Sequence, residues 1–167
     1  MKIIKIYTDG GYKPSIKIGA IAFLILKEGK LLIEYNRTFN EAELSNNKME
    51  MMAVIKALNW LRSNGNKLKG YRVYLYTDSQ YVQLGITEWL TKWKKDNWKN
   101  SRGKPVKNKI LWLTIDNLIQ TEFSSLHVNW IEGHNGDRYN ERVDELCTIS
   151  MKSFIKSKIE VNGHKEN

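Results

Sequence analysis

The chain has 167 residues, 41% of them hydrophobic and 27% charged, which suits one globular domain with a single sizeable core and argues against disorder as its default state. Lys and Arg number 27 against 18 Asp and Glu, a net charge of +9, so a polyanion is the favoured partner, nucleic acid first and an anionic membrane second. One cysteine, Cys147, excludes an internal disulfide; it falls in an apparent helix with no obvious base nearby and reads as a small buried apolar residue. The amino-terminal run is broken by Lys5 and is no signal peptide, and no stretch is apolar enough to span a membrane, so a cytoplasmic protein is expected.

Residues 2–8 are rich in Ile and Tyr and read as a strand that stops at Asp9-Gly10-Gly11, a turn signal. Residues 19–27 and 30–38 are further β-rich runs separated by Glu28-Gly29, which predicts a hairpin and three antiparallel strands in sequence. From 46 to 63 the period becomes helical. Asn46 or Asn47 can cap this helix, Glu50 lies in its first turn, and Asn64-Gly65 closes it. Residues 71–77 form another strand ending at Asp78, and one long helix between strands points to a parallel crossover. Residues 79–98 read as helix broken near Gly85, 99–107 as a basic loop, 108–120 as helix and 124–131 as strand. A glycine-flanked loop from Glu132 to Gly136 precedes a last helix from about Tyr139 toward Ile155. The order βββ-α-β-α-α-β-α defines an α/β fold, a mixed sheet with helices on its faces. Residues 1–157 are expected to form one domain, with 158–167 a polar, flexible tail.

Acidic residues carry the functional signal. Asp9 and Asp78 each follow a strand and each is preceded by Tyr-Thr, so parallel neighbouring strands would set their carboxylates side by side at strand carboxyl ends, where α/β sheets gather functional groups. Singly, Asp9 also fits a turn and Asp78 a helix cap. Glu50 lies opposite the polar face formed by Lys48, Lys56, Asn59 and Arg62, and so points with Ala53, Val54 and Ala57 toward the sheet. A favourable first-turn dipole accounts for its position along the helix but not for its side. Asp144 shares a stripe with Cys147 and Met151, or else pairs with Arg138 or Arg142. Converging carboxylates repel, and a hard divalent cation resolves the conflict. Oxygen ligands favour Mg²⁺, Mn²⁺ or Ca²⁺, and no Cys/His spacing suggests zinc.

Five ordered segments then become recognisable. They are Tyr-Thr-Asp-Gly (7–10), Asn-Asn-Lys-Met-Glu (46–50), Thr-Asp-Ser-Gln-Tyr-Val (77–82), Trp-Lys-Lys-Asp-Asn-Trp-Lys (93–99), and Gly-His-Asn-Gly (133–136) with Asn-Glu-Arg-Val-Asp-Glu-Leu (140–146). In this the chain resembles type 1 ribonuclease H, closest in layout to the bacterial enzymes, over roughly residues 3–155. The resemblance implies a ribonuclease H-like fold: a five-stranded mixed sheet, three antiparallel strands then parallel additions, with helices on both faces. It implies endonucleolytic hydrolysis of the RNA strand of RNA–DNA hybrids, leaving 5′-phosphate and 3′-hydroxyl ends. Asp9, Glu50, Asp78 and Asp144 would hold two Mg²⁺ ions, with Mn²⁺ as a substitute, and His134 would aid proton movement or product release. The implied partner is the hybrid duplex, not a membrane, and the implied state is a monomer.

The basic excess is local. From Lys92 to Lys109 there are eight Lys or Arg and one acid, Asp96, with Trp89, Trp93 and Trp98 in or beside the stretch. Lysines neutralise phosphates and aromatic faces pack on sugars or bases, although tryptophans four apart also serve as core anchors. By resemblance this region is a basic protrusion that holds the DNA strand, with Trp93, Lys94, Lys95, Trp98 and Lys99 its contacts. Sensing of the 2′-hydroxyl falls to Asn46, Asn47 and Gln80 with the backbone of Gly10 and Gly11. Ser45 stands where relatives commonly have threonine, which implies a phosphate pocket in altered form, and the segment after Asp9 departs from the longer Gly/Pro-rich stretch in which many relatives carry a polar residue that helps hold a DNA phosphate. The alternatives are another nuclease or transposase of the same superfold, or a non-catalytic hybrid-binding protein. The ordered motifs and the intact carboxylates argue against both.

Overall fold

The computed structural model describes residues 2–65 and 68–165. A hairpin of β1 (Ile3–Lys13) and β2 (Ile18–Lys27) continues into β3 (Lys30–Phe39), all antiparallel. Helix α1 (Asn46–Ser63) crosses over to β4 (Arg72–Thr77), which lies parallel to β1, and β5 (His127–Trp130) adds parallel to β4. The sheet order is β3-β2-β1-β4-β5. The interior strand β2 is buried on both sides, so it reads as an unbroken apolar run from Ile18 to Leu26 rather than an alternation.

Each face of the sheet builds its own core. Ile4, Ile6, Phe23 and Ile25 pack against α1 through Val54, Ala57 and Leu61, and against α4 (Lys109–Glu122) through Trp112, Ile115 and Leu118. On the other face, Tyr7, Ala22 and Leu24 pack against α5 (Arg138–Gly163) through Val143, Leu146 and Cys147. Cys147 is buried, as its helical position suggested.

Four local features depart from the sequence reading. Strand β1 does not end at Asp9-Gly10-Gly11 but runs on to Lys13, with Asp9 paired to Ala22 and Gly10 to Ile21. Gly10 serves packing, not turning. A Cβ there would overlap the Met49 carbonyl carbon and the Glu50 amide nitrogen, so only glycine lets α1 lie this close to β1. The cap of α1 is Ser45, whose hydroxyl accepts from the Lys48 amide, and not Asn46 or Asn47. The break at Gly85 is a π-helical turn (Gly85–Trp89) between α2 (Gln80–Leu84) and α3 (Leu90–Lys95). The Trp112 indole is seated where a Gly85 side chain would be, so the turn begins at a residue that must be glycine. Finally, α5 continues past Ile155 to Gly163, because nothing between them breaks a helix and its exposed Lys and Glu favour one.

Gly10→Ala is expected to lower the melting temperature by about 4–8 °C, the effect of roughly 2 kcal/mol of overpacking. Gly11→Ala, whose Cβ would meet only Met151 Cε at 3.6 Å, should shift it by less than about 2 °C. Circular dichroism melting checks both.

Candidate active site

The last parallel pair between β1 and β4 is Thr8 with Thr77, so Asp9 and Asp78 are the next residues beyond that register, side by side. Glu50 arrives from the second turn of α1, just beyond the first turn in which the sequence reading placed it, and the α1 backbone at Met49 and Glu50 rests on Gly10. One carboxylate oxygen from each of Asp9, Glu50 and Asp78 lies within 4.8 Å of the other two. Asp9 is 7% and Glu50 9% exposed, and Asp78 is half-buried.

Charge repulsion and burial dominate the electrostatics. Burial, reinforced by the charges of Asp78 and Asp144, pushes Asp9 up to about 7. Burial first, then the Asp9 and Asp78 charges, hold Glu50 well above the usual carboxylate range. Burial and Asp144 raise Asp78 as well. The Gly10 backbone, hydrogen-bonded to Asp9 and Glu50, opposes these shifts. Glu50 Oε2 is buried with no hydrogen-bond partner among the described residues. An orphaned carboxylate oxygen beside two others is a costly arrangement for the protein alone and a suitable one for a hard divalent cation, so these residues fit such an ion.

Asp78 is held by its surroundings. Ser79, rather than Asp78, caps α2 by accepting from the Val82 amide, which leaves the Asp78 carboxylate unspent. The Trp130 indole donates to the Asp78 carbonyl at 3.0 Å. A Cβ on Gly133 would come to 3.0 Å from Asp78 Oδ2. Neither Trp130 nor Gly133 was marked as supporting Asp78 by sequence, because both contacts join residues more than fifty apart and leave no local pattern. On the α5 side, the Cys147 thiol donates to the Asp9 carbonyl at 3.6 Å, and burial pushes that thiol far up, which removes it as a nucleophile.

Asp144 stands at the open edge of the cluster. Its side chain is 47% exposed, and its carboxylate lies 4.0 Å from Nδ1 of His134, which is 81% exposed. The suspected ion pairs of Asp144 do not form: Arg142 binds Glu34 and Glu145 instead. His134 adopts left-handed backbone (φ 57°) in its glycine-flanked loop.

The remaining predicted contacts split. Ser45 is occupied with its cap, and Asn46 Oδ1 accepts from the Tyr12 amide at 2.8 Å, tying the end of β1 to α1. Gln80 is exposed at the start of α2, and Asn47 is half-buried. Lys95 and Lys99 are exposed, whereas Lys94 is paired with Asp116 at 2.9 Å. Trp93 packs against Trp89, Trp98 and Trp112 with ring centroids 5.7, 6.2 and 5.5 Å away, so Trp93 and Trp98 are in the first place anchors of the basic segment.

The family model for RNase H matches residues 1–152. A ribonuclease H of Ralstonia nicotianae is 42% identical over 152 residues, covering 91% of this chain and 93% of its own. One of Actinobacillus succinogenes is 39% identical over 148 residues, covering 87% and 88%. Among solved structures, LC11-RNase H1 in complex with RNA/DNA hybrid is 25% identical with a TM-score of 0.65, over 89% of this chain and 99% of that one. Fold, acidic cluster and relatives together define a phosphodiester-hydrolysing nuclease. The chain belongs to the ribonuclease H family, whose bacterial members it matches along nearly their whole length, and is an endoribonuclease.

The raised carboxylates fix the sign of a pH effect. Asp9 binds its proton more tightly folded than unfolded, so its favourable contribution is complete below about pH 4 and is lost as pH rises toward about 7. In metal-free buffer, Asp9→Asn should therefore raise the melting temperature by at least about 3 °C at pH 8, with the gain shrinking as pH falls to about 4. Melting curves across that range check it.

Proposed function

We propose that this enzyme cuts the RNA strand of RNA–DNA hybrids endonucleolytically, with two divalent cations, Mg²⁺ or in its place Mn²⁺, held by Asp9, Glu50, Asp78 and Asp144, leaving 5′-phosphate and 3′-hydroxyl ends. The observation that carries this is the trio of carboxylate oxygens within 4.8 Å of one another, two of the side chains buried and one of them with an unpartnered oxygen. Bound there, the ions would supply the positive charge that activates a water and stabilises the leaving oxygen in phosphodiester hydrolysis.

The chain's own residues do the rest. Asp9, Glu50 and Asp78 fix the centre rigidly because three packed elements carry them. Asp144 closes its open side, and His134 on its glycine-flanked loop takes up a proton or helps product leave. Asn46 spends its oxygen on Tyr12, which leaves its Nδ2 hydrogens for a ribose hydroxyl; Asn47, Gln80 and the Gly11 backbone are the further candidates for that contact. The Gly10 backbone supports the carboxylates, and Ser45 holds the turn from which Asn46 and Asn47 project. Lys95 and Lys99 neutralise DNA phosphates, Trp93 and Trp98 offer the rims of their half-buried rings, and Lys94 contributes less because Asp116 already pairs it.

Residues 1–157 act as the catalytic domain, consistent with the family match to residue 152, and the rest of α5 is an exposed extension. A monomeric, cytoplasmic enzyme is the accompanying proposal; the single free cysteine, buried, fits a reducing compartment, and no helix of the described residues is long and apolar enough to cross a membrane.

Cleavage of matched RNA–DNA, RNA–RNA and DNA–DNA duplexes with and without Mg²⁺ tests the reading: only the hybrid with Mg²⁺ should be cut, in its RNA strand. Asp9→Asn or Asp78→Asn should lower cleavage by about 10³-fold or more while hybrid binding survives, and full activity in either would overturn the assignment. Removing the charge of Lys95 or Lys99 should reduce the slope of log affinity against log salt by about 1 each, and Lys94 by less.

A further inference from the structure

Asp144 is the least anchored of the four carboxylates. Among the described residues the only side-chain hydrogen bond at Asp144 comes from Thr148 and goes to its backbone carbonyl, and the one basic side chain near its carboxylate is the exposed His134 imidazole, 4.0 Å away. Its position is therefore the position of α5. That helix is tied to the edge strand β3 at two places that bracket Asp144. Arg142 lays its guanidinium on Glu34 as a fork, Nε to Oε1 and Nη2 to Oε2, both at 2.9 Å, while Nη1 donates to Glu145. Two turns later the hydroxyls of Ser150 and Thr38 share a hydrogen bond of 2.6 Å.

We infer that the Arg142–Glu34 fork is a positioning device for the reaction: it sets the rotation of α5 and so brings the Asp144 carboxylate to Asp9 and Asp78. The inference rests on Asp144 being part of the cation site. A fork of two parallel hydrogen bonds fixes direction as well as distance, which a lysine's point charge does not. Rotation matters because a carboxylate roughly 6 Å from a helix axis moves about 2 Å for a 20° turn, and misplacement by about 1 Å can cost about 10²-fold in rate. The pair itself is partly exposed, Arg142 at 38% and Glu34 at 28%, so its worth lies in geometry and little in stability.

The experiment compares the whole protein with Glu34→Gln, Arg142→Lys and the exchanged pair Glu34→Arg with Arg142→Glu. Each single variant should lower kcat about 10-fold with KM for the hybrid within about twofold, and should melt within about 3 °C of the parent. The exchanged pair should recover kcat to within about threefold of the parent. In the protein alone, Mg²⁺ titrated against backbone amide resonances should move the Asp144 signal at higher Mg²⁺ in Glu34→Gln than in the parent. Unchanged kcat with an unchanged Asp144 response overturns the inference. So does a rise in KM at constant kcat, which would make the pair a substrate contact; so does a loss of kcat no larger than the fraction unfolded, or a folded exchanged pair no better than the singles. Asp144→Asn separates the two layers. If it keeps full activity, the role of Asp144 falls and the fork's with it; if it is inactive while the fork variants are fully active, only the fork's role falls.

Discussion

Three carboxylates held within 4.8 Å of one another, two of them almost out of water, are the constraint on which this structure turns. Left to themselves they would separate or take up protons, and the upward shifts of Asp9, Glu50 and Asp78 record that tension. The fold does not relieve it locally. Few donors reach the cluster, no basic side chain pairs with Asp9, Glu50 or Asp78 among the described residues, and one Glu50 oxygen has no partner at all. What holds the acids together is the packing of the elements that carry them, and the buried apolar cores on both faces of the sheet oppose the repulsion. Structural stability is thus spent on a centre that near neutral pH calls for a proton or a cation to balance its charge.

How much of this is visible in the sequence depends on the range of the interaction. The matched Tyr-Thr-Asp endings of two strands are local, and they locate Asp9 and Asp78 correctly beside one another. The helical period is local too, and it shows Glu50 facing inward. The end of β1 is not local. Asp9-Gly10-Gly11 has the composition of a turn, yet the strand continues because β2 pairs with it as far as Lys13 and because α1 needs Gly10 bare. The need for glycine at position 85 likewise comes from Trp112, 27 positions away. The cap of α1 lies one or two residues before Asn46 or Asn47 for a different reason: Ser45, Asn46 and Asn47 are all competent cap residues, and Ser45 is the one whose hydroxyl meets the Lys48 amide, while Asn46 is held by Tyr12.

The basic segment shows two roles divided between residue types. Tyr81 accepts from the Trp112 indole and from Asn108, and Trp89, Trp93 and Trp98 continue the aromatic packing outward from there. This ties residues 89–98 to α4, and Lys94 adds an ion pair to Asp116 on the same helix. Asn97 and Trp98 both take left-handed backbone where α3 ends, a conformation that bulky side chains adopt only when the surroundings compensate for it, and here Trp98 packs into the aromatic cluster. The tryptophans therefore supply rigidity, while the exposed lysines supply charge at a fixed place and angle. For the nucleic-acid contact proposed above, charge preorganised in this way would lose less entropy on binding than a mobile basic loop of the same charge.

The alternation of a β-strand explains why the site lies where it does. Successive residues of β1 face opposite sides: Tyr7, Asp9 and Gly11 look toward α5, whereas Ile6, Thr8 and Gly10 look toward α1. Asp9 alone would belong to the α5 side, where the Cys147 thiol meets its carbonyl. Gly10, the next residue, removes the barrier on the α1 side and admits the backbone of Glu50. At the one point where β1 outruns β4, the end of the shorter strand leaves a gap through which groups from both faces can reach each other. Glu50 enters from one side, Asp144 stands on the other, and Asp9 and Asp78 lie between them. A residue with a side chain at position 10 would close that passage and separate the two halves of the centre, which makes the smallest residue in the motif as consequential as the acids it brings together.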